Sequence, residues 1–187
     1  MSNIRLNVWI EGTIVAALAM AFSFIPTTIG SSFSISLGCI PLTVYAFRRG
    51  VKPTLFSGLV WGLLHFLTGQ VYYLSVSQVL IEYLIAFTCI GFAGVVSEKL
   101  QVALAQNNGH QVTKLIIQGT FSGILARYFW HFVAGVIFWG SYALWGMNPW
   151  IFSLVMNGAS GLATGVVTLI VVLVISKKWP QLLRPSK

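Results

Sequence analysis

Three polar side chains with the chemistry to bind a small solute lie inside long apolar runs of this sequence. Glu82 supplies a carboxylate, His131 an imidazole and Asn157 a carboxamide. A carboxylate neutralises a cationic ligand, while imidazole and amide groups hydrogen-bond the edges of its rings. An ionisable group within a membrane span is costly unless it is paired or faces a polar cavity, so each is a candidate functional residue. Together they favour recognition of a flat, cationic, partly aromatic solute.

Arg127 and Trp139 flank His131 in the same apolar run. Arg127 lies four residues before His131, so the two share one helix face and Arg127 would form the floor of a cavity. Trp139 follows His131 by eight residues, which rotates it about 80° on an ideal helix. Its indole face is suited to stacking on a cationic ring. Tyr72 and Tyr83 belong to a wider aromatic group that we interpret mainly as an interfacial belt.

A structural interpretation of Glu82 is equally open at this point. The carboxylate could pair with Arg127 or His131 and hold two helices together, without any ligand. Glu11, near the start of the first apolar run, is expected to reach the interface or to pair with a basic loop residue.

The composition indicates the elements that must position these groups. Of the 187 residues, 57% are hydrophobic and 7% are charged, whereas a soluble domain carries roughly a quarter charged residues. A chain of this length holds at most about six or seven membrane spans of about 20 residues each. We therefore predict an all-α integral membrane protein. The two cysteines, Cys39 and Cys89, lie in apolar runs, and we expect no metal or cofactor site.

Apolar runs between polar or turn-forming breaks predict a single domain of six transmembrane helices over residues 1–187. The expected spans are 7–25, 34–47, 53–67, 77–97, 113–140 and 149–176. The second and third are short for a full span, and the second contains Pro41, which predicts a kink or an extended start. With a rise of about 1.5 Å per residue, Glu82, His131 and Asn157 lie about 8, 14 and 12 Å below one membrane face. They are therefore predicted to meet at similar depth.

The basic residues sort to one side of this topology. Ten of the 11 lysines and arginines fall at the chain ends or in alternate loops, and the three intervening loops contain none. By the positive-inside rule, both termini are cytoplasmic and the intervening loops face outward. The ten are Arg5, Arg48, Arg49, Lys52, Lys99, Lys114, Lys177, Lys178, Arg184 and Lys187. We interpret this pattern as topology rather than as a nucleic-acid surface.

Catalytic sequence motifs are lacking. The chain has no GxxxxGK phosphate loop, HExxH pair, CxxC or GxSxG, and it has three acidic residues. We therefore predict that it is not an enzyme and has no catalytic residue. Energy for uphill transport would come from partner subunits or from an ion gradient, so a proton-coupled solute carrier remains an alternative.

Several stretches resemble the thiamine-specific substrate-binding (S) components of energy-coupling factor transporters, over almost the whole chain. The most specific are Arg48-Arg49-Gly50, Trp61-Gly62, Leu74-Ser75-Val76-Ser77-Gln78 with Glu82-Tyr83, Tyr128-Phe129-Trp130-His131-Phe132-Val133-Ala134-Gly135 with Phe138-Trp139, and Asn157-Gly158. The resemblance implies a six-helix protein of the bacterial cell membrane that captures thiamine from outside. It also implies association with a membrane coupling subunit and two ATPase subunits.

The resemblance further implies roles for individual residues. Glu82 faces the thiamine cation, His131 and Asn157 hydrogen-bond it, and Trp139 stacks on a ring. Tyr72 and Tyr83 line the pocket, and Arg127 stands where the family carries a basic residue. The row of Thr13, Ala17 and Ala21 resembles the family's docking surface for the coupling subunit.

Three positions depart from the family pattern. The first outer loop reads Gly30-Ser31-Ser32-Phe33 where the family carries a tryptophan, so Phe33 is the candidate substitute. Leu144 and Phe152 replace two further aromatic positions, the second a tyrosine. An S component for another cationic heteroaromatic vitamin is therefore the nearest alternative.

Overall fold

The computed structural model describes residues 2–29 and 33–185. The chain is predominantly helical and contains one short antiparallel pair of strands, β1 (Thr28–Ile29) and β2 (Phe33–Ser34). The principal helices are α1 (Ser2–Ser23), α2 (Cys39–Arg49), α3 (Val51–Leu67), α4 (Val76–Ala105), α5 (Gly109–Phe138) and α6 (Pro149–Lys178).

Four of these helices, α1, α4, α5 and α6, are long and apolar enough to cross a membrane, within the described part of the chain. Helix α3 is apolar but has 17 residues, and α2 has 11. The prediction of an all-α membrane protein is confirmed. The two helices expected to be short are short.

The predicted second span begins too early. Residues 34–38 do not belong to the helix: Ser34 pairs in β2 and α2 begins at Cys39. The extended segment is stabilised by α6, because the Ser34 amide donates to Ser160 Oγ at 3.2 Å. This hydroxyl takes the place of the backbone acceptor that a neighbouring strand would supply. Pro41 lies in the first turn of α2, where its missing N–H leaves no bond unmade, so no kink is required.

The predicted fourth span ends too early, since α4 continues to Ala105. Its last turns are amphipathic, with Leu100 and Leu104 buried in a cluster that includes Leu115 and Leu183. This burial stabilises the helix beyond residue 97, where the polar residues of the sequence had indicated a loop. Asn108 then caps α5 by accepting a hydrogen bond from the Gln111 amide at 3.1 Å.

Helix α5 packs against both α4 and α6, and glycines let these neighbours approach closely. A Cβ at Gly123 would lie 2.8 Å from the Ala93 Cβ of α4. On α6, a Cβ at Gly161 would lie 2.9 Å from the Tyr128 ring of α5. Small residues at such crossings bring helix backbones into van der Waals contact. The side chains of α5 are therefore held between α4 and α6.

The ends of the described chain lie at one end of the bundle. Tyr45, near the end of α2, donates its hydroxyl proton to the Val8 carbonyl oxygen at 2.6 Å. Arg184 donates to the carbonyl oxygen of Leu104, at the end of α4, at 2.8 Å. The side chain of Arg5 and the whole of Lys187 fall outside the described residues.

Glu11 forms an ion-pair cluster at the same end, as expected from its position. Its carboxylate oxygens lie 2.5 Å from Arg48 Nε and 2.7 Å from Arg49 Nη2, and its side chain is 27% exposed. The cluster joins α1 to α2.

We predict that Glu11→Gln lowers the thermal stability of the purified protein. The substitution leaves two arginines facing a neutral amide, and loss of hydrogen bonds to a charged group costs about 2 kcal/mol. The expected fall in the unfolding midpoint is about 4–8 °C. Glu98→Gln, at an exposed position on α4, is the matched control and should leave the midpoint unchanged. Equal midpoints for both variants would contradict the structural role of the cluster.

Candidate binding site

A π-helical turn in α4 presents the acidic residue of the site. The turn spans Leu80–Ile85 and contains Glu82 and Tyr83. It packs against Gly62 of α3, where an added Cβ would overlap the Tyr83 carbonyl oxygen. Single π-helical turns inside α-helices occur frequently at functional sites. The glycine and the turn together set the position of Glu82.

The Glu82 carboxylate joins α4 to the end of α5. Its Oε1 accepts a hydrogen bond from Trp139 Nε1 at 3.0 Å, and its Oε2 accepts one from Gln78 Nε2 on the preceding turn. Both donors are neutral. The carboxylate is thus hydrogen-bonded at each oxygen without a cationic partner, and its negative charge is not neutralised by another side chain at these contacts.

A stripe of residues along α5 connects the remaining candidates. Arg127, His131, Gly135 and Trp139 follow one another at intervals of four, so they share one broad helix face. Asn157 of α6 lies against the middle of this stripe, since a Cβ at Gly135 would be 2.8 Å from its Nδ2. The absence of a side chain at position 135 lets α6 approach closely, because an added Cβ would also overlap Ser153 Oγ.

Asn157 is oriented by a chain of hydrogen bonds. Its Nδ2 donates to Ser153 Oγ at 3.1 Å, and the Ser153 hydroxyl donates to the Phe132 carbonyl oxygen at 2.7 Å. These contacts leave the amide oxygen of Asn157 as an acceptor for a further donor.

Arg127 is buried among aromatic rings. Its guanidinium carbon lies 4.0 Å from the ring centroid of Phe87 and 4.5 Å from that of Trp61. The side chain is 4% exposed, and its Nε and Nη1 have no hydrogen-bond partner among the described residues. Cation–π attraction, which is strongest away from water, stabilises the charge there.

The alternative of a structural ion pair for Glu82 is therefore wrong. Among residues 2–29 and 33–185, neither Arg127 nor His131 forms an ion pair with Glu82, and the ion pairs found are those of Glu11. Arg127 does lie one turn deeper along α5 than His131, as its spacing predicts.

His131 is surrounded by rings from α4 and from its own helix. Its ring centroid lies 6.1 Å from that of Phe87 and 5.5 Å from that of Tyr128. The Tyr128 hydroxyl hydrogen-bonds Thr164 Oγ1 at 2.9 Å. His131 is thus packed against the Phe87 and Tyr128 rings, one turn along α5 from Arg127.

The two candidate tyrosines have different environments. Tyr83 is 9% exposed and stacks on Phe87, with 5.6 Å between ring centroids. Its hydroxyl accepts a hydrogen bond from the backbone amide of Tyr72 at 3.0 Å. The Tyr72 side chain is 76% exposed, so in this structure its backbone, rather than its ring, contacts the site.

Sequence reasoning assigned no role to three residues at the centre of this arrangement. Gln78 lies four residues before Glu82, a spacing that places two helical side chains together. Phe87 is distinguished from other apolar residues only by its contacts with Arg127 and His131 across helices. Gly135 lies midway between His131 and Trp139, and a glycine at this spacing is a signal of close helix approach, here by Ser153 and Asn157 of α6.

The described residues include only part of the departures from the family pattern. Gly30, Ser31 and Ser32, where the family's loop tryptophan is expected, fall outside the described residues. Phe33 is half-buried in β2. Leu144 is exposed and Phe152 is buried.

The apolar helices and the carboxylate that joins two of them define a multi-pass helical membrane protein with an internal polar site. The chain belongs to the thiamine transporter protein (Thia_YuaJ) family, whose model matches residues 9–184.

Individual relatives agree with this assignment. The chain is 40% identical over 182 residues to the thiamine transporter ThiT of Lacticaseibacillus paracasei, covering 95% of this chain and 90% of the relative. It is 30% identical over 154 residues to ThiT of Bacillus subtilis, covering 82% of this chain and 80% of that relative. A solved structure of ThiT from Listeria monocytogenes superposes with a TM-score of 0.95 at 50% identity, covering 97% of this chain and 99% of that one.

We predict that Gly62→Ala destabilises the protein and displaces the site. The new methyl group pushes the Tyr83 carbonyl oxygen away from α3, and overpacking of this kind costs about 1–3 kcal/mol. The unfolding midpoint should fall by about 2–10 °C, and the tryptophan emission should shift as the Trp139 contact with Glu82 changes. Gly158→Ala, at an open helical position, is the control. An unchanged midpoint and spectrum for Gly62→Ala would contradict the close packing described.

Proposed function

We propose that this chain binds thiamine from the extracellular side and delivers it as the S component of an energy-coupling factor uptake transporter. The observation that carries the proposal is the Glu82 carboxylate, which is held by Trp139 and Gln78 without a cationic partner. A ligand bearing a fixed positive charge and aromatic rings supplies that missing cation. Membership of the thiamine transporter family supports thiamine as this ligand.

The proposed roles are those that the family resemblance implies, and the arrangement of the stripe on α5 supports them. Glu82 neutralises the thiamine cation, and Trp139 offers its ring face to one thiamine ring. His131 and the free acceptor of Asn157 hydrogen-bond the ring edges. Arg127 forms the floor through its contacts with Phe87 and Trp61, and Tyr83 with the loop at Tyr72 borders the opening.

The distribution of charge supports binding from outside. Gln101, near the basic end of α4, lies 19 residues from Glu82, or about 28 Å along the helix. This distance is close to the roughly 30 Å thickness of the hydrocarbon core. With the basic end on the cytoplasmic side, both termini are cytoplasmic and Glu82 lies toward the outer face. In this topology α2 and α3 complete six spans as short helices in a bacterial cell membrane.

Partner subunits supply the energy in this proposal. The sequence lacks a phosphate loop, so ATP hydrolysis falls to two ATPase subunits joined through a membrane coupling subunit. The row of Thr13, Ala17 and Ala21 on α1, whose members are all exposed, is the proposed docking surface for the coupling subunit.

Thiamine titration of the detergent-purified protein tests the binding role. We expect saturable quenching of tryptophan fluorescence, because the ligand stacks on Trp139. Removing one partner of a buried charge interaction costs about 2 kcal/mol or more, so Glu82→Gln should weaken thiamine affinity at least about thirtyfold.

Glu98→Gln is again the matched control and should bind as the unmodified protein does. An absence of binding in both fluorescence and calorimetry would exclude thiamine. Tighter binding of another cationic vitamin in competition would favour the alternative substrate class.

Uptake into reconstituted vesicles tests the transport role. We expect the chain alone to bind thiamine without accumulating it, and accumulation to require the coupling subunit, both ATPase subunits and ATP. Accumulation driven by a pH gradient with this chain alone would instead indicate a self-contained proton-coupled carrier.

A further inference from the structure

Gln78 is buried beside the candidate site and hydrogen-bonds on two sides. Its side chain has 0% exposure. Its Oε1 accepts from the Leu74 backbone amide at 3.1 Å, and its Nε2 donates to Glu82 Oε2. Its own backbone amide donates to Ser75 Oγ at 3.2 Å, which caps the first turn of α4.

The two contacts fix the orientation of the amide group. The Leu74 backbone N–H is a donor and the Glu82 carboxylate is an acceptor, so the Gln78 oxygen must face Leu74 and its nitrogen must face Glu82. The reverse orientation would place two donors together at one end and two acceptors at the other. Glutamine is thus suited to bridge a backbone donor to a carboxylate here.

The segment between α3 and α4, residues 68–75, is attached to the site through this bridge. A second attachment is the hydrogen bond from the Tyr72 amide to the Tyr83 hydroxyl. Beyond these contacts, the Tyr72 and Tyr73 side chains are 76% and 66% exposed. The backbone amides of Tyr72 and Leu74 therefore depend on side chains from the first turns of α4 for their hydrogen bonds.

We propose that Gln78 is a positioning residue for cation recognition, which couples the Glu82 carboxylate to the loop at residues 68–75. Gln78 holds one oxygen of the carboxylate and directs its charge toward a ligand, while its other end secures the loop. Cation binding at Glu82 and attachment of the loop are therefore coupled, because both depend on the Gln78 side chain. The inference rests on the proposed function, because it assigns the cation to the same site.

Gln78→Met is the principal test, since methionine has a similar length and adaptable shape but cannot form either hydrogen bond. We expect thiamine affinity to fall about tenfold to a hundredfold, the range for hydrogen bonds to charged groups. Affinity for a neutral analogue, with thiophene in place of the thiazolium ring, should change by less than about threefold. A purely structural defect would weaken both ligands equally, and that result would overturn the proposal.

A double-mutant cycle tests whether Gln78 acts through Glu82. In the Glu82→Gln background, Gln78→Met should have little further effect on thiamine affinity, because the carboxylate that it positions is gone. Full additivity of the two substitutions would overturn the proposed coupling. Ser75→Ala weakens the cap of the same turn. It should lower the ratio of thiamine affinity to neutral-analogue affinity, by less than Gln78→Met does. This variant provides the test if Gln78→Met does not fold.

Gln101→Met is the matched control on the same helix. The Gln101 amide bridges the carbonyl oxygens of Phe47 and Leu183 at the opposite end of α4. Its loss should lower stability without changing the ratio of affinities for the charged and neutral ligands. A change in that ratio as large as that of Gln78→Met would count against a specific role for Gln78.

Chymotrypsin cleavage at Tyr72 and Tyr73 tests the loop attachment directly, first without thiamine and then with it. We expect faster cleavage in Gln78→Met than in the unmodified protein or in Gln101→Met, and thiamine should protect the unmodified loop. Equal cleavage rates would overturn the loop attachment. Failure of the unmodified protein to bind thiamine would instead overturn the proposed function, and the titration separates these results.

Discussion

The site depends on a carboxyl group that is half-buried between apolar helices. The bilayer offers no water to satisfy polar groups, so a buried charge must find its partners within the protein. Glu82 does so through two neutral N–H donors, one from the preceding turn of its own helix and one from Trp139 across the helix interface. Neutral donors stabilise the charge while leaving it uncompensated for a ligand.

That solution also explains why Arg127 is not the partner of Glu82. The guanidinium is stabilised separately by the faces of Phe87 and Trp61. Two opposite charges on neighbouring helices are thereby kept apart, with His131 near the same Phe87 ring. A direct ion pair would have neutralised the charge on which the proposed cation recognition depends.

Much of this arrangement could be predicted from the sequence because it follows helical spacing. The intervals of four along α5, the pairing of Glu11 with basic residues and the start of α6 at position 149 all come from local pattern. The π-helical turn has no comparable signature, since it depends on the contact of Gly62 with the Tyr83 carbonyl oxygen across two helices. The strand at Ser34 likewise depends on hydroxyl groups of α6, more than 100 residues away in sequence. Such long-range contacts override local propensity.

The π-helical turn has a consequence for the register of α4. A turn with i to i+5 hydrogen bonds accommodates one more residue than the α-helical turn that it replaces. Deleting one residue between Leu80 and Ile85 would permit continuous α-helix from Val76 to Cys89, where a 3-10 helical segment, Ile90–Val96, follows. The residues before the deletion would then be rotated by about 100° relative to Phe87. Gln78 and the loop that it holds would rotate with them. The one additional residue of the turn therefore determines which face of α4 carries Gln78.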